Sequence, residues 1–133
     1  MDTFNNRVES ANLRVLVVDD EAGICLLLKA LLTQAGYDCQ TASSGNEALE
    51  ILQQQEFDAL ISDLRMPGIS GLALLDAVRA RYPKTCFLIA TGGGEVQAGA
   101  DAVERGADGY VTKPFRLEAV VAALQGALEK KRR

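Results

Sequence analysis

Acidic, hydroxyl and basic side chains stand directly after four short apolar segments of the chain. Asp19 and Asp20 follow the first segment, Asp63 the third, Thr91 the fourth and Lys113 the fifth. Carboxylates that are brought together repel one another, which raises some of their pKa values unless a cation neutralises them. A set of oxygen ligands favours a hard cation, and Mg²⁺ binds a few carboxylates and keeps water in its other positions. If the fold gathers these positions, the sequence predicts a magnesium site.

The same residues are suited to phosphoryl chemistry. One aspartate oxygen beside a bound cation stays free to attack phosphorus, and carboxylates do form aspartyl phosphates. Such transfer depends mainly on positioning and charge neutralisation. Lys113 supplies a positive donor for one phosphoryl oxygen, and the Thr91 hydroxyl and an N–H of the glycine run 92–94 can serve others. Each residue alone also has an ordinary structural explanation, such as a helix cap or a surface lysine.

The apolar segments predict five strands, which begin near residues 13, 37, 57, 86 and 107. Helical patterns separate them. The first helix carries an apolar stripe at Ile24, Leu27, Leu28, Leu31 and Leu32, which leaves Cys25 and Leu26 outside the stripe. Later helices are predicted after Ser44 and Ser70, over 95–105, and from Phe115 to about Lys130.

Five strand–helix units without an insertion predict a parallel sheet with helices on both faces. Ligands of such sheets bind at the carboxyl ends of the strands. The chemistry-bearing residues follow the strands, so we expect them to meet at that edge. Gly99 interrupts the fourth helix, whose bulky apolar residues are few, and we therefore expect that helix to be loosely packed.

Composition narrows the function further. The chain has 133 residues, which suits one domain, and no histidine, which excludes histidine catalysis, histidine metal ligands and a phosphohistidine of its own. Residues 130–133 are all basic, so residues 1–129 carry all 18 acidic side chains and only 10 basic ones. An acidic body repels phosphate backbones, and nucleic-acid binding by this domain alone is not expected.

The cysteines and the apolar runs bear on the compartment. The cysteine count of three is odd and no CxxC spacing occurs, which favours reduced thiols in a cytoplasmic protein over a disulfide framework or a zinc site. The first residues have no apolar core of a signal peptide, and no run reaches the ~18 apolar residues of a membrane span. No membrane partner is expected.

Four segments together resemble the receiver domain of two-component response regulators: VLVVDDE (15–21), LISDLRMPGISG (60–71), ATG (90–92) and GYVTKPF (109–115). The resemblance runs over residues 12–129, between a flexible N-terminal extension (1–11) and a basic tail or start of a linker (130–133). It implies a flavodoxin-like, doubly wound (βα)5 sandwich, as in chemotaxis receivers, with strand order 2-1-3-4-5.

The resemblance also implies a role for each residue of the metal site. Asp63 would be the phosphoacceptor. Asp20 would bind Mg²⁺ together with Asp63, and Asp19 would assist. The backbone carbonyl of Arg65 would be a further ligand.

The remaining site residues would bind the phosphoryl group or report it. Thr91, Gly92 and Lys113 would contact phosphoryl oxygens, and the Lys113–Pro114 peptide bond would be cis. Tyr110 would be an aromatic switch that turns inward when Thr91 moves.

The implied function is signal transduction. A sensor histidine kinase or a histidine phosphotransfer protein would supply the phosphoryl group to Asp63, and the face made by the fourth helix, fifth strand and fifth helix would change. The domain would catalyse only its own phosphorylation and dephosphorylation, so it would not be an enzyme in the usual sense. The family allows a homodimer on phosphorylation, and an output domain after residue 133. Leu26 and Cys25 are either scattered surface apolar residues or part of a docking face for the donor.

Two alternatives stay open. One is a Mg²⁺-dependent phosphatase or phosphotransferase that turns over a small substrate through an aspartyl phosphate. Arg65 stands two residues after Asp63, where that chemistry would use a second acid, and no insertion encloses a substrate. The other is a receiver that signals without phosphate, which the complete set of acids, Thr91 and Lys113 disfavours.

Overall fold

A computed structural model describes residues 13–92 and 95–132. The predicted extension at 1–11, Gly93 and Gly94 of the glycine run, and Arg133 lie outside the described residues. The strands are β1 (Arg14–Val18), β2 (Asp38–Ala42), β3 (Ala59–Asp63), β4 (Cys86–Thr91) and β5 (Gly109–Thr112). The helices are α1 (Ala22–Gln34), α2 (Gly45–Gln54), α3 (Gly71–Arg81), α4 (Val96–Glu104) and α5 (Leu117–Arg132).

The five strands form one parallel sheet in the order β2-β1-β3-β4-β5. The predicted fold class and strand order are therefore confirmed. β1 lies between β2 and β3, so that Val17 pairs with Thr41 on one side and Ile61 on the other. Because helices cover both faces, strands β1, β3 and β4 are buried almost throughout and read in the sequence as continuous apolar runs.

Alternate side chains of β1, β3 and β4 enter two separate cores. Helices α2, α3 and α4 cover one face, where Leu16, Leu60 and Phe87 are buried. Helices α1 and α5 cover the other, where Val17, Ile61 and Leu88 are buried. This division fixes the sheet from both sides and leaves its carboxyl edge open to solvent. No helix in the described part of the chain is long and apolar enough to cross a lipid bilayer.

The helix boundaries follow local capping chemistry. The Ser44 and Ser70 hydroxyls each accept a hydrogen bond at 3.1 Å from the backbone N–H three residues later. The Glu47 side chain accepts a hydrogen bond from the N–H of Ser43, one residue before the N-cap Ser44, in an arrangement close to a capping box. Gly36, with a φ of 98°, ends α1 in the left-handed region that glycine adopts freely.

The predicted apolar stripe of α1 is wrong at two positions. Leu27 is 44% exposed, whereas Cys25 is half-buried and packs against the core with Leu28. The sheet contacts the face centred on residues 25, 28, 32 and 35, which is rotated from the stripe that periodicity suggested. As a result, Leu26 and Leu27 form an adjacent pair of exposed leucines on α1.

Helix α4 is attached through small side chains. Its described contributions to the core are Ala102, which is buried, and Ala98, which is partly buried, while Val103 is 43% exposed. Small side chains bury little apolar area, so this helix gains less from packing than α3, which buries Leu74, Leu75 and Val78. The looseness expected from the sequence has a structural basis, and the motion itself stays a prediction.

Candidate functional site

The predicted site residues meet at the carboxyl edge of the sheet. Asp19 and Asp20 follow β1, and Asp63 is the last residue of β3. Thr91 ends β4 and Lys113 follows β5. Each position is a strand end because the apolar run that forms the strand stops there, and parallel pairing aligns those ends.

Three carboxylates form a compact cluster at this edge. One oxygen from each of Asp19, Asp20 and Asp63 lies within 4.8 Å of the others. Asp19 is only 2% exposed, Asp63 is half-buried and Asp20 is exposed. Oxygen ligands at this spacing, one of them open to solvent, fit a hard divalent cation that keeps part of its water shell.

Burial raises the pKa of Asp19 above its ordinary value, and the negative charge of Asp63 raises it further. The N–H of Glu21 opposes this shift by donating to Asp19 Oδ1 at 2.9 Å. The folded chain therefore holds a buried carboxyl beside a like charge, an arrangement that a bound cation relieves. The acidic pocket can bind a metal on these grounds.

Lys113 supplies the positive charge of the site. Its Nζ lies 3.2 Å from Asp63 Oδ1 and 3.5 Å from Asp19 Oδ2, so it bridges the ends of β1 and β3 from β5. Partial burial alone would lower the pKa of Lys113, but the hydrogen bond to Asp63 and the charge of Asp19 leave it raised. The ammonium group is therefore held charged next to Asp63. The Lys113–Pro114 peptide bond that follows is cis.

Asp63 is held in place by backbone contacts from two sides. The N–H of Leu64 donates to Asp63 Oδ1 at 3.0 Å. Helix α3 begins so close behind it that a β-carbon on Gly71 would lie 2.2 Å from the Asp63 carbonyl oxygen. Only glycine permits this approach, which lets the Gly71 N–H donate to Leu64 O at 2.9 Å. The start of α3 therefore fixes the end of β3 that carries Asp63.

Thr91 contributes a buried hydroxyl. Its side chain is fully buried, and among the described residues its Oγ1 has no hydrogen-bond partner. The Thr91 carbonyl accepts from the N–H of Lys113 at 2.8 Å, which ties the two residues together at the ends of β4 and β5. A buried hydroxyl gains free energy from any acceptor that reaches it, because an unpaired buried polar group is costly.

Tyr110 points outward on β5. Its side chain is 40% exposed, and its ring packs against Gly99 of α4. The position predicted as a switch is therefore in contact with the loosely attached helix. The inward position stays a prediction.

Glu95 is a site neighbour that the sequence did not single out. Its Oε1 accepts a hydrogen bond from the Gly92 N–H at 3.0 Å, and its Oε2 is bonded by the guanidinium of Arg65. Both the Arg65 hydrogen bond and the Gly92 N–H hold the pKa of Glu95 below its ordinary value. An acid just before α4 was visible in the sequence, but the hydrogen bond from the Gly92 N–H to its side chain depends on loop geometry.

A cleft of about 810 Å³ lies at the opposite end of the sheet, where the start of β1 and the ends of α2 and α3 meet the segments 55–58 and 82–85. Arg14 lies over the Phe57 ring there, 5.0 Å from its centre, and bonds the Gln55 side chain. On the wall of the cleft the backbone N–H of Arg14 donates to Asp58 Oδ2 at 2.8 Å, and none of the predicted site residues lines the cleft. The chemistry therefore concentrates at the carboxyl edge, not in this larger cleft.

The fold and the edge together define a doubly wound α/β domain that carries a carboxylate–lysine site at the switch point of its sheet. Residues 15–125 match the family model described as the response regulator receiver domain. The chain belongs to this family, as the sequence resemblance implied.

Similar proteins agree with the assignment. The chain is 40% identical over 112 residues to the DNA-binding transcriptional regulator NtrC of Klebsiella pneumoniae, covering 84% of this chain and 24% of that protein. A receiver domain from Clostridium thermocellum superposes with a TM-score of 0.85 at 32% identity, covering 91% of this chain and 98% of that one. The chemotaxis protein CheY4 of Vibrio cholerae superposes with a TM-score of 0.80 at 35% identity, covering 86% and 98%.

The similar proteins differ in size. The chain spans about a quarter of the length of the NtrC relatives, which are named as DNA-binding transcriptional regulators. It spans nearly all of the CheY4 chain. Receiver domains of this sequence type therefore occur both within longer regulators and as short chains.

Proposed function

We propose that the chain is a phosphoacceptor that receives a phosphoryl group on Asp63 and transmits the change through α4, β5 and α5. The observation that supports this most directly is the position of Lys113 Nζ, 3.2 Å from Asp63 Oδ1 and 3.5 Å from Asp19. An ammonium group held charged beside an acidic cluster is the arrangement that phosphoryl transfer needs for charge neutralisation.

In the proposed reaction an Asp63 carboxylate oxygen attacks the phosphorus of a phosphohistidine on a donor protein. The new P–O bond forms as the P–N bond breaks, and the imidazole nitrogen keeps the electron pair and takes up a proton. Lys113 neutralises charge on a phosphoryl oxygen. Dephosphorylation follows when water attacks the phosphorus and the Asp63 carboxylate leaves with its electron pair, giving inorganic phosphate. The domain supplies these groups for its own modification only, and we do not expect turnover of a small substrate.

Mg²⁺ would be held by Asp20 and Asp63, with Asp19 beside it and the Arg65 carbonyl as a further ligand. When bound, it supplies charge neutralisation for the phosphoryl oxygens. The fit rests on three carboxylates whose oxygens lie within 4.8 Å of one another and on the raised pKa of Asp19, which burial and the charge of Asp63 produce.

The new phosphoryl group would then be bound by Lys113, by the buried Thr91 hydroxyl and by the Gly92 N–H. Thr91 gains an acceptor for a hydroxyl that has none among the described residues. As Thr91 turns toward the phosphoryl group, Tyr110 moves inward from its present position over Gly99. The surface made by α4, β5 and α5 changes, which alters binding of a partner or of a second copy of the chain.

The proposed donor is a sensor histidine kinase or a histidine phosphotransfer protein. It has to bring an imidazole to Asp63, and the exposed Leu26 on α1, which lines a pocket with Asp19 and Asp20, offers an apolar contact next to the acidic cluster. A C-terminal output domain is proposed by analogy with the longer relatives. The reduced thiols fit a cytoplasmic protein.

Incubation of the chain with Mg²⁺ and acetyl phosphate, followed by intact mass measurement, tests the proposal. We expect one phosphoryl group per chain, lost in Asp63→Asn and retained in Asp76→Asn, a matched change at an exposed position on α3. Repeated release of inorganic phosphate from metabolite phosphates would instead favour a small-substrate phosphatase, and modification that survives Asp63→Asn would reject Asp63 as acceptor.

A further inference from the structure

The carboxylate of Glu95 bonds two groups near the acceptor: Gly92, which follows the strand paired with β3, and Arg65, which follows Asp63 in the chain. One oxygen accepts the Gly92 N–H at 3.0 Å, and the other is bonded by the guanidinium of Arg65, two residues after Asp63. The Glu95 side chain is 25% exposed and that of Arg65 is 79% exposed. Arg65 therefore bonds Glu95 from the solvent-exposed side of the site while the other carboxylate oxygen of Glu95 bonds Gly92.

The Gly92 N–H is one of the donors that the proposed function assigns to the phosphoryl group. A backbone amide has a single hydrogen, and it makes one good hydrogen bond at a time. A phosphoryl group also adds about −1.5 to −2 of charge, by analogy with other phosphorylated residues, and it repels a carboxylate on the same donor. The Glu95 carboxylate and the phosphoryl group cannot both use this N–H.

We propose that Glu95 is a positioning residue that occupies the phosphoryl-binding N–H of Gly92 in the unphosphorylated protein, with Arg65 holding it there. This inference rests on the proposed function of Asp63. On phosphorylation, the phosphoryl group replaces the Glu95 carboxylate at the Gly92 N–H. Because the carboxylate must first be displaced, the site binds a phosphoryl group less tightly than it would if the Gly92 N–H were free.

The exchange reaches α4 directly. Glu95 is the N-cap residue of this helix, and its carbonyl accepts the N–H of Gly99 at 3.1 Å. Its own N–H donates to the Gly92 carbonyl at 3.1 Å, so side chain and backbone of Glu95 both bond Gly92. Release of the side chain removes one of these two hydrogen bonds between Gly92 and Glu95. The described core contacts of α4 come from Ala98 and Ala102, which oppose a shift of the helix only weakly.

Beryllofluoride, which binds an aspartate with Mg²⁺ as a stable phosphoryl mimic, provides the test. Titrations would compare the full chain with Glu95→Gln, which keeps the shape and removes the charge. The matched control is Glu104→Gln, the same change at an exposed position at the other end of α4. The amide signal of Gly92 would be followed by NMR in all three proteins, and a urea titration would show that each is folded.

We expect Glu95→Gln to bind beryllofluoride about two- to tenfold more tightly, the range of one net hydrogen bond. The free Gly92 amide signal should shift in this variant, and Glu104→Gln should match the wild type in both respects. If Glu95 served only to hold the structure, Glu95→Gln would bind beryllofluoride more weakly than the wild type. The direction of the change in affinity therefore distinguishes the two roles. Equal or weaker binding by a folded Glu95→Gln overturns this inference and leaves the proposed function standing. Failure of the wild type itself to bind beryllofluoride at Asp63 overturns both.

Discussion

The ring of Tyr110 lies against the backbone of Gly99 so closely that a β-carbon at position 99 would stand 3.1 Å from two ring carbons. The contact joins β5 to α4, across the surface that the proposed function expects to change. Any larger residue at 99 forces the ring or the helix to move, because 3.1 Å is well inside ordinary carbon–carbon contact. Gly99 therefore provides the space in which the outward ring rests.

Replacing this glycine should favour the inward position of Tyr110. In Gly99→Ala the methyl group strains the outward ring by about 0.5–1 kcal/mol, roughly a two- to fivefold change in an equilibrium. We expect the Tyr110 ring signals in NMR to move toward those of the beryllofluoride-bound wild type.

The control for this variant is Gly126→Ala on α5, where a β-carbon would meet no atom within 4 Å. Both changes add helix propensity, worth up to about 1 kcal/mol, but only Gly99→Ala touches Tyr110. If the two variants move the Tyr110 signals equally, the contact with Gly99 does not hold the ring outward.

Gly71 should tolerate no side chain. In Gly71→Ala the new β-carbon would lie 2.2 Å from the Asp63 carbonyl oxygen and 2.9 Å from Leu64 Cα, both of them backbone atoms that cannot swing aside. We expect a loss of about 1–3 kcal/mol in the free energy of unfolding, or more, measured by urea denaturation. Phosphorylation of Asp63 should slow as well, since its strand end must shift.

Gly23→Ala is the matched change for this prediction, because it too lies in the first turn of a helix and meets no atom within 4 Å. We expect it to be neutral or slightly stabilising. Equal urea midpoints for the two variants would mean that α3 can move away from β3 without cost.

Asp19 should destabilise the metal-free protein at neutral pH. Burial and the charge of Asp63 raise the pKa of Asp19 in the folded state above its ordinary value of 3.8. Folding therefore favours the protonated form, and this contribution to stability is present below that value and is lost as the pH rises through the raised pKa. Asp19→Asn removes the charge and should raise the melting temperature in EDTA at pH 7, by a few degrees for about 1 kcal/mol.

Added Mg²⁺ should raise the melting temperature of the wild type above that of Asp19→Asn, the reverse of their order in EDTA. The cation stabilises the folded state in proportion to its affinity, and the wild type keeps all three carboxylates while Asp19→Asn keeps two. The increase in melting temperature between EDTA and Mg²⁺ should thus be larger for the wild type. An equal increase in both proteins would exclude Asp19 from the cation site.

Local and strand-end features were predictable from the sequence. The caps at Ser44 and Ser70 depend on residues three positions apart, and the meeting of Asp63 with Lys113 follows once each is recognised as a strand end. Parallel pairing of the strands then brings the two residues to the same edge of the sheet, independently of the conformation of the connecting loops.

Features that depend on packing between elements were not predictable. The stripe of α1 was misplaced at Cys25 and Leu27, because periodicity gives the width of an apolar face but not the rotation at which the sheet meets it. The contact of Gly99 with Tyr110 is possible because glycine has no β-carbon, and the sequence does not show which ring from another element fills that space. The role of Glu95 depends on how the chain turns between β4 and α4, which no apolar pattern encodes.

The exposed Leu26 of α1 is expected to contact the protein that donates the phosphoryl group. Leu26 is 71% exposed and lines a cleft of about 500 Å³ with Asp19, Asp20 and Cys25. Leu26→Glu should slow phosphoryl transfer from a phosphorylated histidine kinase that modifies the wild type, by about tenfold if one apolar contact is lost at the centre of the interface. Its phosphorylation by acetyl phosphate should be unchanged, because the small donor needs no docking surface. Gln53→Glu adds the same charge at an exposed position of α2 and should leave both reactions unaltered. A kinase rate for Leu26→Glu equal to that of Gln53→Glu would show that the donor docks elsewhere on the domain.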